Sequence, residues 1–425
     1  MSKNINLSIK KSDIDIINKV FFIAFFVDVV GLVIVSQFTD AANSLALYIG
    51  LSFNSFTDFS DTVMAAQGNP YDVGVIYPPL CYLLCKIMGG MIPGFKDFQD
   101  TMALRDSQMG RMVYTYFVVL CVLVVFFVIV KFCKYDNLYK ICLSLVIVLS
   151  VPFLSTVDRG NFLLLCTVCV IVFVAFYDSE NKFAKELALI CLAVAAAIKI
   201  YPAVLGLLLI KKGNTKTVVR TVIYGLVAFV LPAFAFDGLT TLKEMVTNLT
   251  AESNKNVLDQ NSISGRVDLP TVFLTFLLMF KHNLSQATFD MVEKISKIVG
   301  LLFSAEMVVL SFVSKDKWKK VLALTSIMLV LPSFSYEYCL ISYLAPLLIF
   351  LVSDHKKFDW LYVIAFFIMT VPFAFNPNSF FEGVYGYGVR GVVVLENIGQ
   401  AFMFAILQID FIVEIIKNSK KKKVR

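Results

Sequence analysis

Apolar residues in this chain come in long unbroken runs and not in an alternating pattern, which predicts helices that are apolar over most of their circumference. Twelve such runs are expected to span a membrane. They lie at 17–36, 112–131, 141–157, 162–177, 187–199, 201–211, 217–236, 294–313, 321–335, 338–353, 358–375 and 392–415. Lipid offers the backbone no hydrogen-bond partners, so unbroken runs of this kind must be helical. The expected fold class is therefore all-α, a polytopic membrane helix bundle of about 12 spans. Two longer segments, 37–111 and 237–293, each carry one apolar stretch too short to cross, Leu80 to Met91 and Thr271 to Phe280. Both are expected to form interfacial or re-entrant helices.

Two pairs of runs read as truncated hairpins, 187–212 and 321–353. Leu187 to Ile198 would reach only ~18 Å at ~1.5 Å per residue, against a hydrocarbon core of ~30 Å. Its turn, Lys199-Ile200-Tyr201-Pro202, should stop inside the membrane, where broken backbone is tolerated only against protein or a water-filled cavity. The second hairpin repeats the device with Tyr336-Glu337-Tyr338 near its apex. Together they imply one shared polar recess.

Composition agrees with a membrane solvent: of 425 residues, 58% are hydrophobic and only 16% charged, more apolar surface than a soluble domain encloses. The net charge of +7 is explained by position and does not imply a nucleic-acid partner, because 25 of the 38 Lys and Arg fall in loops on one side of the spans. That side is expected to be cytoplasmic, with both termini on it, and the two long loops on the other. The whole of 1–425 reads as one domain, with a basic tail at 417–425 held at anionic lipid. The first apolar run lacks a small-residue cleavage site and is expected to remain as a helix. Nine Cys, mostly within apolar runs, read as small hydrophobes, including the Cys166 and Cys169 pair. The sequons at Asn248 and Asn283 would face the non-cytoplasmic side.

Ionisable residues in or beside a span are costly and therefore mark sites. Lys199 at its broken turn suits the phosphate of a lipid-linked substrate, or else snorkels or pairs with an acid. Asp58 and Asp61 lie in a loop whose turn residues, Gly68 to Pro70 and Tyr77-Pro78-Pro79, would fix it above the recess. Either carboxylate is placed to take a proton from an acceptor hydroxyl. Arg159 could join Lys199 on the phosphate or pair with Asp158. Tyr336, Glu337 and Tyr338 could hydrogen-bond sugar hydroxyls or serve as helix-end anchors. Asp28 and Glu306 are expected to pair within the bundle, and Glu396 with Gln400 to share a helix face that could line the recess. No acidic cluster suggests a metal, and no cofactor is expected.

Asp58-Phe59, Gly68-Asn69-Pro70-Tyr71, Tyr77-Pro78-Pro79-Leu80, Arg159-Gly160-Asn161 and Ala197-Ile198-Lys199-Ile200-Tyr201-Pro202, in this order over about residues 17–360, resemble glycosyltransferase family 87. These membrane enzymes of the C superfamily are typified by polyprenyl-phosphate-mannose-dependent α-mannosyltransferases. The resemblance implies transfer of a sugar, with inversion, from a polyprenyl-phosphate donor to a lipid-linked or glycan acceptor outside a cell membrane. It implies Asp58 as general base with Asp61 as its rival, Lys199 and Arg159 on the donor phosphate, and Tyr77, Tyr201 and Asn161 around the donor and acceptor. Glu337 stands where the family commonly has His, and the spacing from Asp58 to Gly68 is short. Two other classes fit the span count: a polymerase or ligase of lipid-linked glycans, expected to centre on loop Arg residues, and a transporter, expected to show inverted repeats.

Overall fold

The computed structural model describes residues 16–39, 55–255, 258–259, 262–281, 283–332, 334–381, 384 and 388–423. Among these the chain is helical throughout, without a β-strand; a single antiparallel bridge joins Arg266 to Tyr336. The first helices are α1 (Ile16–Phe38), α2 (Thr57–Ala65), α3 (Pro79–Gly90), α4 (Thr101–Asp106), α5 (Gln108–Phe132), α6 (Asn137–Val148) and α7 (Val151–Arg159). Next come α8 (Leu163–Phe176), α9 (Lys182–Ile198), α10 (Thr215–Val230), α11 (Leu239–Lys255) and α12 (Leu269–Phe280). The last are α13 (Gln286–Val313), α14 (Lys317–Val330), α15 (Leu344–Leu351), α16 (Trp360–Thr370) and α17 (Gly391–Lys423). The 201–211 run forms a 3₁₀ helix, Tyr201–Leu209, and another, Glu337–Tyr343, leads into α15.

Each of the twelve apolar runs contains helix, but they are not of one kind. Among the described residues, five helices are long and apolar enough to cross a membrane: α1, α5, α10 with its extension to Ala235, α13 and α17. The bent pair α6 and α7, at 50°, makes a sixth if counted as one span. Other apolar helices are shorter and packed inside. In α8, which is apolar all round, every residue from Cys166 to Ala175 is buried, and α15 is buried along its whole length. The long helices instead leave apolar side chains outward, as with Leu120, Leu123 and Phe127 on α5. A helix enclosed by protein need not match the bilayer thickness, so apolarity alone did not distinguish enclosed helices from outward-facing ones.

The loops read as basic and cytoplasmic meet at one end of the bundle. Lys317 donates to Asp178 at 2.7 Å, the side-chain amide of Asn18 donates to the Leu351 carbonyl at 2.9 Å, and Lys356 pairs with Asp316. Lys319, almost fully buried, pairs with Asp410 and lies 3.5 Å from Asp359. The two short apolar stretches are helices as expected, α3 and α12. Glu306 accepts from Gln408 at 2.6 Å, which pairs it within the bundle.

Candidate active site

The corner between α7 and α8 sets the geometry. α7 ends on Gly160, whose φ of +73° is a left-handed cap that favours glycine. A Cβ there would stand 2.8 Å from Cβ of Phe59 and 3.1 Å from Cα of Phe56, so glycine also lets α2 lie directly on this corner. Phe56, before α2, has φ 60° and is held there by its N–H, which donates to the Asp158 carbonyl at 2.6 Å. The Asp158 carboxylate accepts from Ser55 at 2.7 Å.

Asp58 is therefore not on a loop. It sits in the first turn of α2, where the helix N-terminus favours a carboxylate. Its Oδ1 accepts from Nη2 of Arg159 at 2.6 Å and its Oδ2 from Nδ2 of Asn161 at 2.7 Å. Asn161 is fully buried, and its Oδ1 accepts from the Leu163 N–H at 2.9 Å, which turns the amide NH₂ toward the acid. Two donors suit a carboxylate, which only accepts. The Arg159 guanidinium, considered for the donor phosphate or for Asp158, thus lies on Asp58. Asp61 is one turn along on the exposed side of α2.

Tyr77 links this cluster to Lys199. Its hydroxyl accepts from Asn161 at 3.3 Å, and the Lys199 ammonium stands 3.7 Å above its ring centroid. Lys199 caps α9 in extended conformation, ahead of the Tyr201 to Leu209 3₁₀ helix. At ~1.5 Å per residue, the 17 residues of α9 reach about 25 Å, so the break lies short of a full crossing. Tyr77, Lys199, Tyr201, Leu249, Tyr336 and Tyr338 line a cavity of about 260 Å³.

The segment bearing Tyr77 is strapped from two sides. The Tyr71 hydroxyl donates to the Tyr77 carbonyl at 2.6 Å, and the Asn248 amide donates to the carbonyls of Tyr71 at 2.8 Å and Val75 at 3.2 Å. Asn248, noted in the sequence only as a sequon, is thus a strut that brings α11 over the cavity.

Asp58, Arg159 and Asn161 adjoin the cavity through Tyr77 without lining it. Glu337 is turned to another partner, Arg390, which sequence reasoning missed. Glu396 and Gln400 are buried away from this cavity; the Gln400 amide donates to the Val267 carbonyl at 2.8 Å. Also missed were Arg266 and Asp268, a fully buried pair at 2.6 Å. Its signal was present: Asp268 one residue before Leu269-Pro270 is an N-cap pattern, and its side chain does accept from the Thr271 N–H at 3.0 Å.

The model of glycosyltransferase family 87 matches residues 76–342, a stretch that holds Tyr77, Arg159, Asn161, Lys199 and Tyr336. No curated protein and no solved structure matches the chain.

Proposed function

This chain belongs to glycosyltransferase family 87, and from that premise we propose that it moves a hexose, mannose being the favoured sugar, from a polyprenyl-phosphate donor to an acceptor hydroxyl. The acceptor is a glycan or a lipid-linked glycan. The reaction takes place on the non-cytoplasmic face of a cell membrane, in a topology of twelve passes with both termini and the basic loops in the cytoplasm.

Asp58 is the general base. It takes the acceptor proton while the acceptor oxygen attacks the anomeric carbon from the face opposite the phosphate. The bond from that carbon to the phosphate oxygen breaks, its electron pair leaves with polyprenyl phosphate, and the configuration inverts. A carboxylate has about four lone-pair sites, so Asp58 can accept from a substrate hydroxyl while Arg159 and Asn161 hold it. Lys199 meets the charge that develops on the leaving phosphate. Arg159 and Asn161 are positioning residues for the base. Tyr77, Tyr201 and Tyr336 form the walls for sugar and lipid, and Glu337 with its partner Arg390 lies toward the acceptor.

The observation that carries this reading is Tyr77, whose hydroxyl reaches the Asp58 cluster and whose ring carries the Lys199 ammonium. One residue thus stands between a base cluster and a phosphate-seeking cation. The test offers purified protein in lipid a panel of polyprenyl-phosphate sugars and nucleotide sugars. Consumption of a polyprenyl-phosphate hexose is expected. Consumption of nucleotide sugars alone, or of whole lipid-linked glycans without monosaccharide transfer, would overturn the proposal.

A further inference from the structure

A second recess borders the Lys199 cavity. Met328 and Phe334 line the first, while Val330, Leu331 and Pro332 between them line the second, which has a volume of about 290 Å³. Arg266, Glu293, Ser296 and Lys297 also line it. Arg266 is 4% exposed, and its Nε donates to Asp268 at 2.6 Å, so a fixed guanidinium lies in the wall. Ser296 is 3% exposed and its hydroxyl has no hydrogen-bond partner, although it lines a cavity large enough for a ligand. A buried polar group without a partner is rare in folded proteins and asks for a reason.

The mouth differs from the wall. Lys297 donates to Glu293 at 2.7 Å, but its side chain is 68% exposed, and such a surface pair is weak. Its ammonium is therefore easily drawn to another anion. One turn along α13, Leu301 is exposed, as is Leu331 across the opening, and Ile298 extends the apolar surface. The recess is polar within, cationic at the lip and apolar alongside, the sequence of surfaces that a lipid headgroup and its chain present.

We infer that this recess binds the phosphate of a membrane lipid. The Ser296 hydroxyl donates to a phosphate oxygen, Lys297 turns from Glu293 to the phosphate, and Arg266 supplies a fixed positive field from the wall. The lipid chain lies along Ile298 and Leu301. The site is distinct from the Lys199 cavity and does not rest on the donor assignment.

The experiment titrates the full-length protein in detergent with phosphatidylglycerol, with diacylglycerol, which lacks the phosphate, and with inorganic phosphate, and counts adducts by native mass spectrometry. Phosphatidylglycerol is expected to bind, and the other two are not. Ser296→Val and Lys297→Gln each remove one contact to a charged group and should weaken binding about tenfold or more. Lys297 is exposed and Ser296→Val nearly conserves volume, so both variants should fold. Lys199→Met should leave phosphatidylglycerol binding unchanged, which separates this site from the donor cavity. Equal binding of diacylglycerol, equal binding of inorganic phosphate, unchanged affinity in both variants, or loss in Lys199→Met would each overturn the inference.

Discussion

Exchanging Asp58 for Asn removes the base while keeping the shape, and its cost can be worked from the contacts. Asp58 accepts at both oxygens, from Arg159 at 2.6 Å and from Asn161 at 2.7 Å. An amide has one accepting oxygen and one donating nitrogen. If its oxygen keeps Arg159, its NH₂ faces the NH₂ of Asn161, which cannot turn because its own oxygen is taken by the Leu163 N–H. One charge-assisted bond is lost, that to Asn161, worth ~1.5–3 kcal/mol, since Asn161 is fully buried and the Asp58 side chain is only 16% exposed. Against a typical stability of ~5–15 kcal/mol, the variant should fold. Transfer should fall ~10²- to 10⁴-fold, or about 3–5 kcal/mol of barrier, as expected for loss of a general base. The assay is single-turnover sugar transfer in proteoliposomes, with donor binding measured in parallel and expected to persist. Asp61→Asn is the matched control, because Asp61 is a carboxylate one turn along the same helix that is exposed. Transfer by Asp58→Asn within about threefold of the parent, or the large loss appearing in Asp61→Asn instead, would refute the reasoning.

Lys199→Met keeps the apolar stem and deletes the ammonium, so transfer should drop about 10²-fold or more, read as kcat in the same assay. Tyr77→Phe retains the ring under Lys199 and loses only the 3.3 Å contact to Asn161, so its effect should be small. Tyr77→Ala also loses a cation–π contact worth ~0.5–2 kcal/mol and should be several-fold worse in donor binding. Gly160→Ala places a Cβ 2.8 Å from Phe59 at a φ of +73°, and should lower stability by ~1–3 kcal/mol in a thermal melt and displace Asp58 from its partners. Asp268→Ala strands the buried Arg266 cation and should cost ~3–5 kcal/mol, with Asp268→Asn milder, both measured by thermal unfolding in detergent.

Much of this was legible because membrane chains obey few rules strictly. Unbroken apolar runs had to form helices, and each of the twelve contains one. Pro202 after Lys199 announced a break, and a break does separate α9 from the 3₁₀ helix that follows. Asp58, Arg159, Asn161, Tyr77 and Lys199 were all named from spacing and resemblance. Which of them touch was not legible: Arg159 was weighed against a phosphate and against Asp158, and it lies on Asp58. Nothing in a linear order distinguishes a carboxylate one residue away from one about a hundred residues away, and Gly160 decides between them by letting α2 press onto the corner.

By itself the sequence determined the solvent, the helical class, the basic end of the bundle and the residues proposed to carry chemistry, because each follows from local composition or from the order of residues along the chain. Tertiary structure alone decided which apolar helices are enclosed by protein and which leave apolar side chains outward. It also decided that Tyr77 couples Asp58 to Lys199, that Glu337 answers to Arg390, and that Asn248 is a strut. Those outcomes depend on packing between segments far apart in the chain, where one close approach determines which partners remain within hydrogen-bond reach.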